Sequence, residues 1–208
     1  VGGYLQHSYT ETYMQIILVR HGQSEANVDP SVLETTIDPH IKLTPLGEDQ
    51  AHQAFMLNNL EGNTQVISSP YKRAIDTANI VHGYLNNVTH APVAICPMVC
   101  ERQFGILSSA FDEYPIKYSH ELQLYNDYVK AGQEFYAPAP PGGESPIQVA
   151  TRAVLAINML SKKYDQCHNL VIVSHSGFIK ATLMAYGIMA AEDYCQRIHN
   201  GSIHTFTV

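Results

Sequence analysis

At 208 residues the chain can bury one sizeable core and is short for two. Its 45% hydrophobic and 15% charged residues are those of an ordinary globular protein, and no run nears the roughly eighteen apolar residues of a membrane helix. The formal net charge of −7 excludes a general nucleic-acid binder, so an anionic substrate must meet a local concentration of cations. The four cysteines, Cys96, Cys100, Cys167 and Cys195, suggest neither a disulfide framework nor a zinc site and are expected as buried thiols. No N-terminal stretch has the order of a signal peptide, so a cytoplasmic location is expected.

Residues 1–13 show no period and read as an extension or expression remnant before Met14. Gln15 to Val19 is an apolar, β-branched run that suits a strand buried on both faces. Thr44-Pro45 opens a helix, with Thr44 as N-cap and an apolar stripe of Ala51, Ala54 and Phe55. A strand is expected over 65–69, then a helix over 71–85 with Ala74, Ala78 and Val81 on one face. A third strand over 93–99 is weakened by Pro97.

Residues 108–143 are irregular around a helix over 120–131, and the Tyr118, Tyr125, Tyr128, Tyr136 series reads as packing. Ser145-Pro146 opens a further helix, with Ile147, Ala150, Val154 and Ile157 sharing a face. The run 170–173 is a strand, a helix follows to about Ala185, and 202–208 alternates as a terminal strand. Strands alternating with capped helices predict a three-layer α/β/α sandwich with a mainly parallel central sheet, as one domain over 14–208.

In open α/β sheets ligands sit beyond the carboxyl ends of the strands. Arg20-His21-Gly22 follows the first strand, Ser69-Pro70-Tyr71-Lys72-Arg73 the second, and Ser174-His175-Ser176-Gly177 the fourth. Parallel strands would bring two histidines and two arginines to one sheet edge. That set suits phosphoryl transfer: guanidinium forks match phosphate oxygens, and a neutral imidazole can attack phosphorus. A second, protonated histidine would stabilise charge on the transferring oxygens. Gly22 and Gly177 are expected to let backbone amides approach an oxyanion.

The run Arg20-His21-Gly22-Gln23-Ser24-Glu25-Ala26-Asn27 resembles the signature of the histidine phosphatase superfamily, also called phosphoglycerate mutase-like. The likeness continues in order through Leu43 to Ala51, Ser69 to Ala74, Glu101-Arg102-Gln103-Phe104-Gly105, Gly143-Glu144-Ser145 and Val173-Ser174-His175. It implies a phosphoglycerate mutase-like fold, His21 as the phosphorylated nucleophile, and a phosphate pocket of Arg20, Arg73, His175, Asn27, Gln23 and Ser176. Glu101 falls at the family's proton-donor position, with Asp112 and Glu113 as rivals, and Glu144 at the rim, orienting Arg20 or substrate hydroxyls. No metal or other cofactor is implied. Ser176 departs from the two glycines many members carry after the second histidine.

These readings favour a metal-independent phosphatase of small phosphomonoesters. A cofactor-dependent phosphoglycerate mutase is the alternative, disfavoured by a short segment between Glu101 and His175. A non-catalytic phospho-ligand-binding domain is the other, disfavoured because the core residues are all present. Residues 108–143 would cap the substrate, and their few cations, Lys117 and Lys130, favour sugar or hydroxy-acid phosphates over polyanions. The expected partner is a small phosphorylated substrate, without nucleic acid or membrane, and a homodimer is left open.

Overall fold

The computed structural model describes residues 13–53, 57, 59–85, 88–89, 91–108 and 119–208. The expectations placed on residues 1–12, Ala54, Phe55, Asp112, Glu113, Lys117 and Tyr118 lie outside these.

Strands β1 (Gln15–Arg20), β2 (Thr64–Ser68) and β4 (Asn169–Ser174) are buried along almost their whole length, as strands covered on both faces must be. With β3 (Ala94–Ile95) and β5 (Ile203–Thr207) they form a five-stranded sheet in the order β3-β2-β4-β1-β5. Both β1 and β2 run parallel to β4, with Arg20 opposite Ser174 and Ser68 opposite Val173. Three carboxyl ends therefore finish level at one edge. Strand β5 runs antiparallel, against β1.

Alternate strand residues feed two cores, as the two-residue period of a strand requires. Ile16, Leu18, Ile67, Leu170 and Ile172 pack against α6 (Pro146–Lys163) and α7 (Ser176–Ala185). Ile17, Val19, Val66, Val171 and Val173 pack against Ala74, Ala78 and Val81 of α4 (Lys72–Tyr84). In front of α4 lies α3 (Pro45–His52), whose N-cap Thr44 accepts from the Gly47 amide. The layers are those of an α/β/α sandwich. The helix expected over 120–131 is α5 (Ser119–Lys130). None of the described helices is long and apolar enough to cross a membrane.

Three expectations need correction. The strand over 93–99 shrinks to two residues because Pro97 has no N–H to donate and opens a 3-10 turn, Pro97–Val99. The buried stripe of α6 is Val149, Ala150, Ala153, Ala156, Ile157 and Leu160, while Ile147 is 45% exposed. That stripe centres on Ala153, which puts Ile147 about a third of a turn away from it. Among the cysteines only Cys96 is buried. The segment after His21 also carries two short helices the sequence did not announce, α1 (Glu25–Val28) and α2 (Val32–Thr35), and a 3-10 turn, Asp38–His40.

Candidate active site

His21 follows the end of β1 and is 3% exposed. Its Nδ1 lies 2.6 Å from the Gly22 carbonyl oxygen. A carbonyl only accepts, so the proton belongs on Nδ1 and Nε2 carries the lone pair. Arg73, in the first turn of α4, donates from Nε to that same Nε2 at 3.3 Å. Burial, followed by the charges of Arg73 and Arg20, holds the imidazole well below its usual range, so His21 is neutral near pH 7. A neutral imidazole with one unprotonated nitrogen beside two guanidinium groups is a nucleophile suited to phosphate.

Arg20 is buried at the last position of β1, and its Nη1 donates to the Ile198 carbonyl while Nε has no partner among the described residues. Arg73 donates from Nη1 to both the Asp38 carbonyl, at 2.8 Å, and the Asp38 carboxylate, at 2.7 Å. Arg20, His21, Arg73, Asn27 and Glu101 all line one cavity of about 340 Å³ at the level sheet edge.

His175 caps α7 and is fully buried, its ring centroid 4.9 Å from that of His21. Its Nε2 lies 2.8 Å from the Ser69 hydroxyl oxygen, which accepts from the Tyr71 amide. The Ser69 proton is then free to point at Nε2. That leaves the imidazole proton on Nδ1, an atom with no partner among the described residues. The sequence suggested a protonated His175. Burial, then the neighbouring His21 and the arginines, instead push it well below its usual range. The ring is neutral and still offers one donor.

Glu101 is held at the start of α7: its Oε1 accepts from the Arg102 amide at 2.7 Å and the Phe178 amide at 3.3 Å. A helix N-terminus favours an anion there, and so do Arg73 and Arg20. Burial outweighs them and moves the carboxyl above its usual range. With Oε1 engaged, Oε2 is the oxygen left to take the proton of the acid form. A methyl group on Gly177 would come within 2.5 Å of Oε1. Gly177 thus makes room for the Glu101 carboxyl, not for an oxyanion.

Gly22 is likewise corrected. Its amide donates to Thr77 Oγ1 at 3.1 Å, and a Cβ on it would fall 2.0 Å from the Gly47 carbonyl oxygen. The glycine lets the His21 loop press against the first turn of α3. The expected phosphate ligand Gln23 also serves that packing. Its amide donates to Gln50 Oε1 and its Oε1 accepts from the Thr44 hydroxyl at 2.9 Å, away from the cavity wall.

Asn27 does line the cavity, with Oδ1 occupied by the Ser24 amide and by Asn200 Nδ2, each at 3.1 Å, so its NH2 is the group left for a ligand. Ser176 lines a smaller neighbouring cavity with Glu134, Lys180 and Tyr194 instead. Glu144 does not approach Arg20. It forms a bidentate pair with Arg152, at 2.9 and 2.8 Å, and accepts from the Gln103 amide at 3.0 Å. Burial would raise its carboxyl, but the Arg152 and Gln103 donors win and hold it below the usual range. Arg152 also donates to the carbonyls of Met98 and Cys100, so the pair fastens the segment that presents Glu101.

Sequence reasoning missed Ser69, Thr77, Asn200, Arg152 and Asp38. Ser69 opens the block Ser69 to Ala74, so its position was a signal even though no role was given to it. Asn200 and Arg152 lie far along the chain with nothing local to mark them.

A parallel α/β sandwich with paired histidines and arginines at the strand ends is the phosphoglycerate mutase-like architecture. Residues 16–208 match the model of the histidine phosphatase superfamily (branch 1), and the chain belongs to that family. It is 29% identical over 159 residues to the Danio rerio protein "Fructose-2,6-bisphosphatase TIGAR B", covering 76% of this chain and 58% of that one. The chain thus spans little more than half the length of that relative. It is 28% identical over 182 residues to a 2,3-bisphosphoglycerate-dependent phosphoglycerate mutase of Cytophaga hutchinsonii, covering 86% of this chain and 79% of that one. Among solved structures, a mycobacterial glucosyl-3-phosphoglycerate phosphatase superposes with a TM-score of 0.69 at 23% identity, over 92% of this chain and 90% of that one.

Proposed function

We propose that the protein hydrolyses phosphomonoesters, without a metal ion, through a phosphohistidine on His21 with Glu101 as proton donor. The observation that carries this reading is the 2.6 Å approach of His21 Nδ1 to the Gly22 carbonyl, which assigns the proton to Nδ1 and leaves the Nε2 lone pair in a cavity shared with Arg20, Arg73 and Glu101.

The lone pair of Nε2 forms a bond to phosphorus as the ester P–O bond breaks, and the leaving oxygen takes the proton of Glu101. Arg73 must first pass its Nε–H from His21 to a phosphate oxygen. Arg20 Nε and His175 Nδ1, both buried without partners among the described residues, are the donors an anion there would satisfy. The phosphorylated ring carries a positive charge, which the Gly22 carbonyl stabilises by accepting from Nδ1–H. In the second half-reaction the Glu101 carboxylate takes a proton from water, the water oxygen bonds to phosphorus, and the P–N electron pair returns to Nε2.

The test is release of phosphate from a panel of phosphomonoesters in excess chelator by wild type and His21→Ala. Loss of at least about 10⁴-fold in kcat, with an acid-labile phosphoenzyme trapped only in wild type, is expected. Equal release by both proteins overturns the mechanism. Mutases appear among the relatives by name and differ in the phosphoryl acceptor. Isomerisation dependent on added bisphosphoglycerate, with little free phosphate, would favour that chemistry.

A further inference from the structure

Beside the phosphate cavity lies a second chamber of about 610 Å³, and Asp38 lines both, together with Phe104 and Ser108. Pro39, Tyr71 and Ile106 add to the second wall. Among the described residues of that wall the other charged side chain is Arg102. It is buried, donates from Nε to the Glu144 carbonyl, and lies 3.6 Å from the Glu134 carboxylate. Glu134 faces its charge, while its Nη2 is buried without a partner among the described residues. Asp38 is different. Its side chain is 41% exposed at the junction, and its carboxylate engages Arg73 through Nη1.

We propose that Asp38 is a specificity-determining residue, favouring phosphomonoesters whose leaving group is an uncharged hydroxyl-bearing or an amine-bearing alcohol over those with a second anion beside the ester. This narrows the sequence expectation by setting the hydroxy-acid phosphates aside. The inference rests on the phosphatase reading above and names its substrate class. A carboxylate has lone pairs for more than one donor, so holding Arg73 leaves acceptor capacity for a hydroxyl or ammonium group. A second anion at the junction would face that carboxylate within a few ångströms, a repulsion that salt screens because the carboxylate is part-exposed. Because Asp38 also steadies Arg73, its substitution has two separable effects. Lost positioning lowers turnover of every ester alike, whereas lost charge changes the ratio between esters.

The experiment measures kcat/KM for glycerol 3-phosphate, phosphoethanolamine and 3-phosphoglycerate with wild type and Asp38→Asn at fixed ionic strength. Asn keeps an oxygen for Arg73 and removes the charge. Wild type is expected to prefer the first two esters over the third by about tenfold or more. Asp38→Asn should erase about tenfold of that ratio by lowering KM for the doubly anionic ester. Added salt should narrow the ratio in wild type alone, a reading that needs no variant. A wild-type preference for 3-phosphoglycerate, or a ratio unmoved by the substitution and by salt, overturns the inference while the phosphatase stands. No turnover of any ester by wild type overturns the phosphatase reading, and this one with it.

Discussion

His21 owes its readiness to burial. An exposed imidazole would be partly protonated near neutrality, whereas this one is kept neutral by desolvation and two guanidinium groups. Glu101 is tuned the opposite way by the same burial, because desolvation always disfavours the charged form. The two shifts widen the pH range in which His21 is unprotonated while Glu101 still holds a proton, as the proposed roles require. Glu101→Gln is expected to lower kcat/KM for alkyl phosphates by about 10²–10⁴-fold. The loss should be smaller for p-nitrophenyl phosphate, whose leaving oxygen needs little protonation. Since the protonated acid is the active form, phosphoenzyme formation in wild type should fall as pH rises through the raised pKa. Single-turnover pH profiles in which Glu101→Gln keeps that alkaline limb would remove Glu101 from the role.

Among the elements, α7 and α6 do most to build the site without contributing its nucleophile. The start of α7 directs a free amide to Glu101, and α6 sends Arg152 back to Glu144 and to the carbonyls before Glu101. Glu101 is therefore positioned by two helices while sitting in an irregular segment. Replacing Arg152 by Met strands the Glu144 carboxylate and frees those carbonyls, at an expected cost of about 2–3 kcal/mol. Glu144→Gln should cost less, because the amide keeps an acceptor and the arginine keeps its carbonyls. Denaturant melts give the stability, and a double-mutant cycle gives the coupling. An additive cycle would mean that the pair does not fasten the segment.

Across the whole molecule, the two buried histidines tie stability to pH. Each has a folded pKa depressed below the unfolded value of about 6.5, so below that pH the unfolded chain binds protons that the folded chain refuses. Stability is then fully present above about pH 6.5 and declines as pH falls beneath it. Glu101, with a raised folded pKa, acts in the opposite sense as pH rises through the carboxyl range, one group against two. Thermal melts from pH 7.5 to 5 should show the decline in wild type, and His175→Gln should flatten it. A variant with the full wild-type slope would show that His175 is already charged in the fold.

The long buried strands, the helices opened by Thr-Pro and Ser-Pro, and the convergence of Arg20, His21, Arg73 and Glu101 on one cavity were legible along the chain. Each of those signals is local: an apolar period, a Thr-Pro or Ser-Pro cap, a motif at a strand end. The partnerships were settled in three dimensions. Gly22 and Gly177 looked like oxyanion glycines and turned out to make room for Gly47 and for Glu101. Gln23 looked like a phosphate ligand and is held by Thr44, and Glu144 belongs to Arg152. The protonation of His175 and the place of Asp38 on Arg73 are of the same kind. A hydrogen bond or a desolvated charge depends on which atoms the fold brings within about 3 Å of one another, and spacing along the chain does not encode that distance.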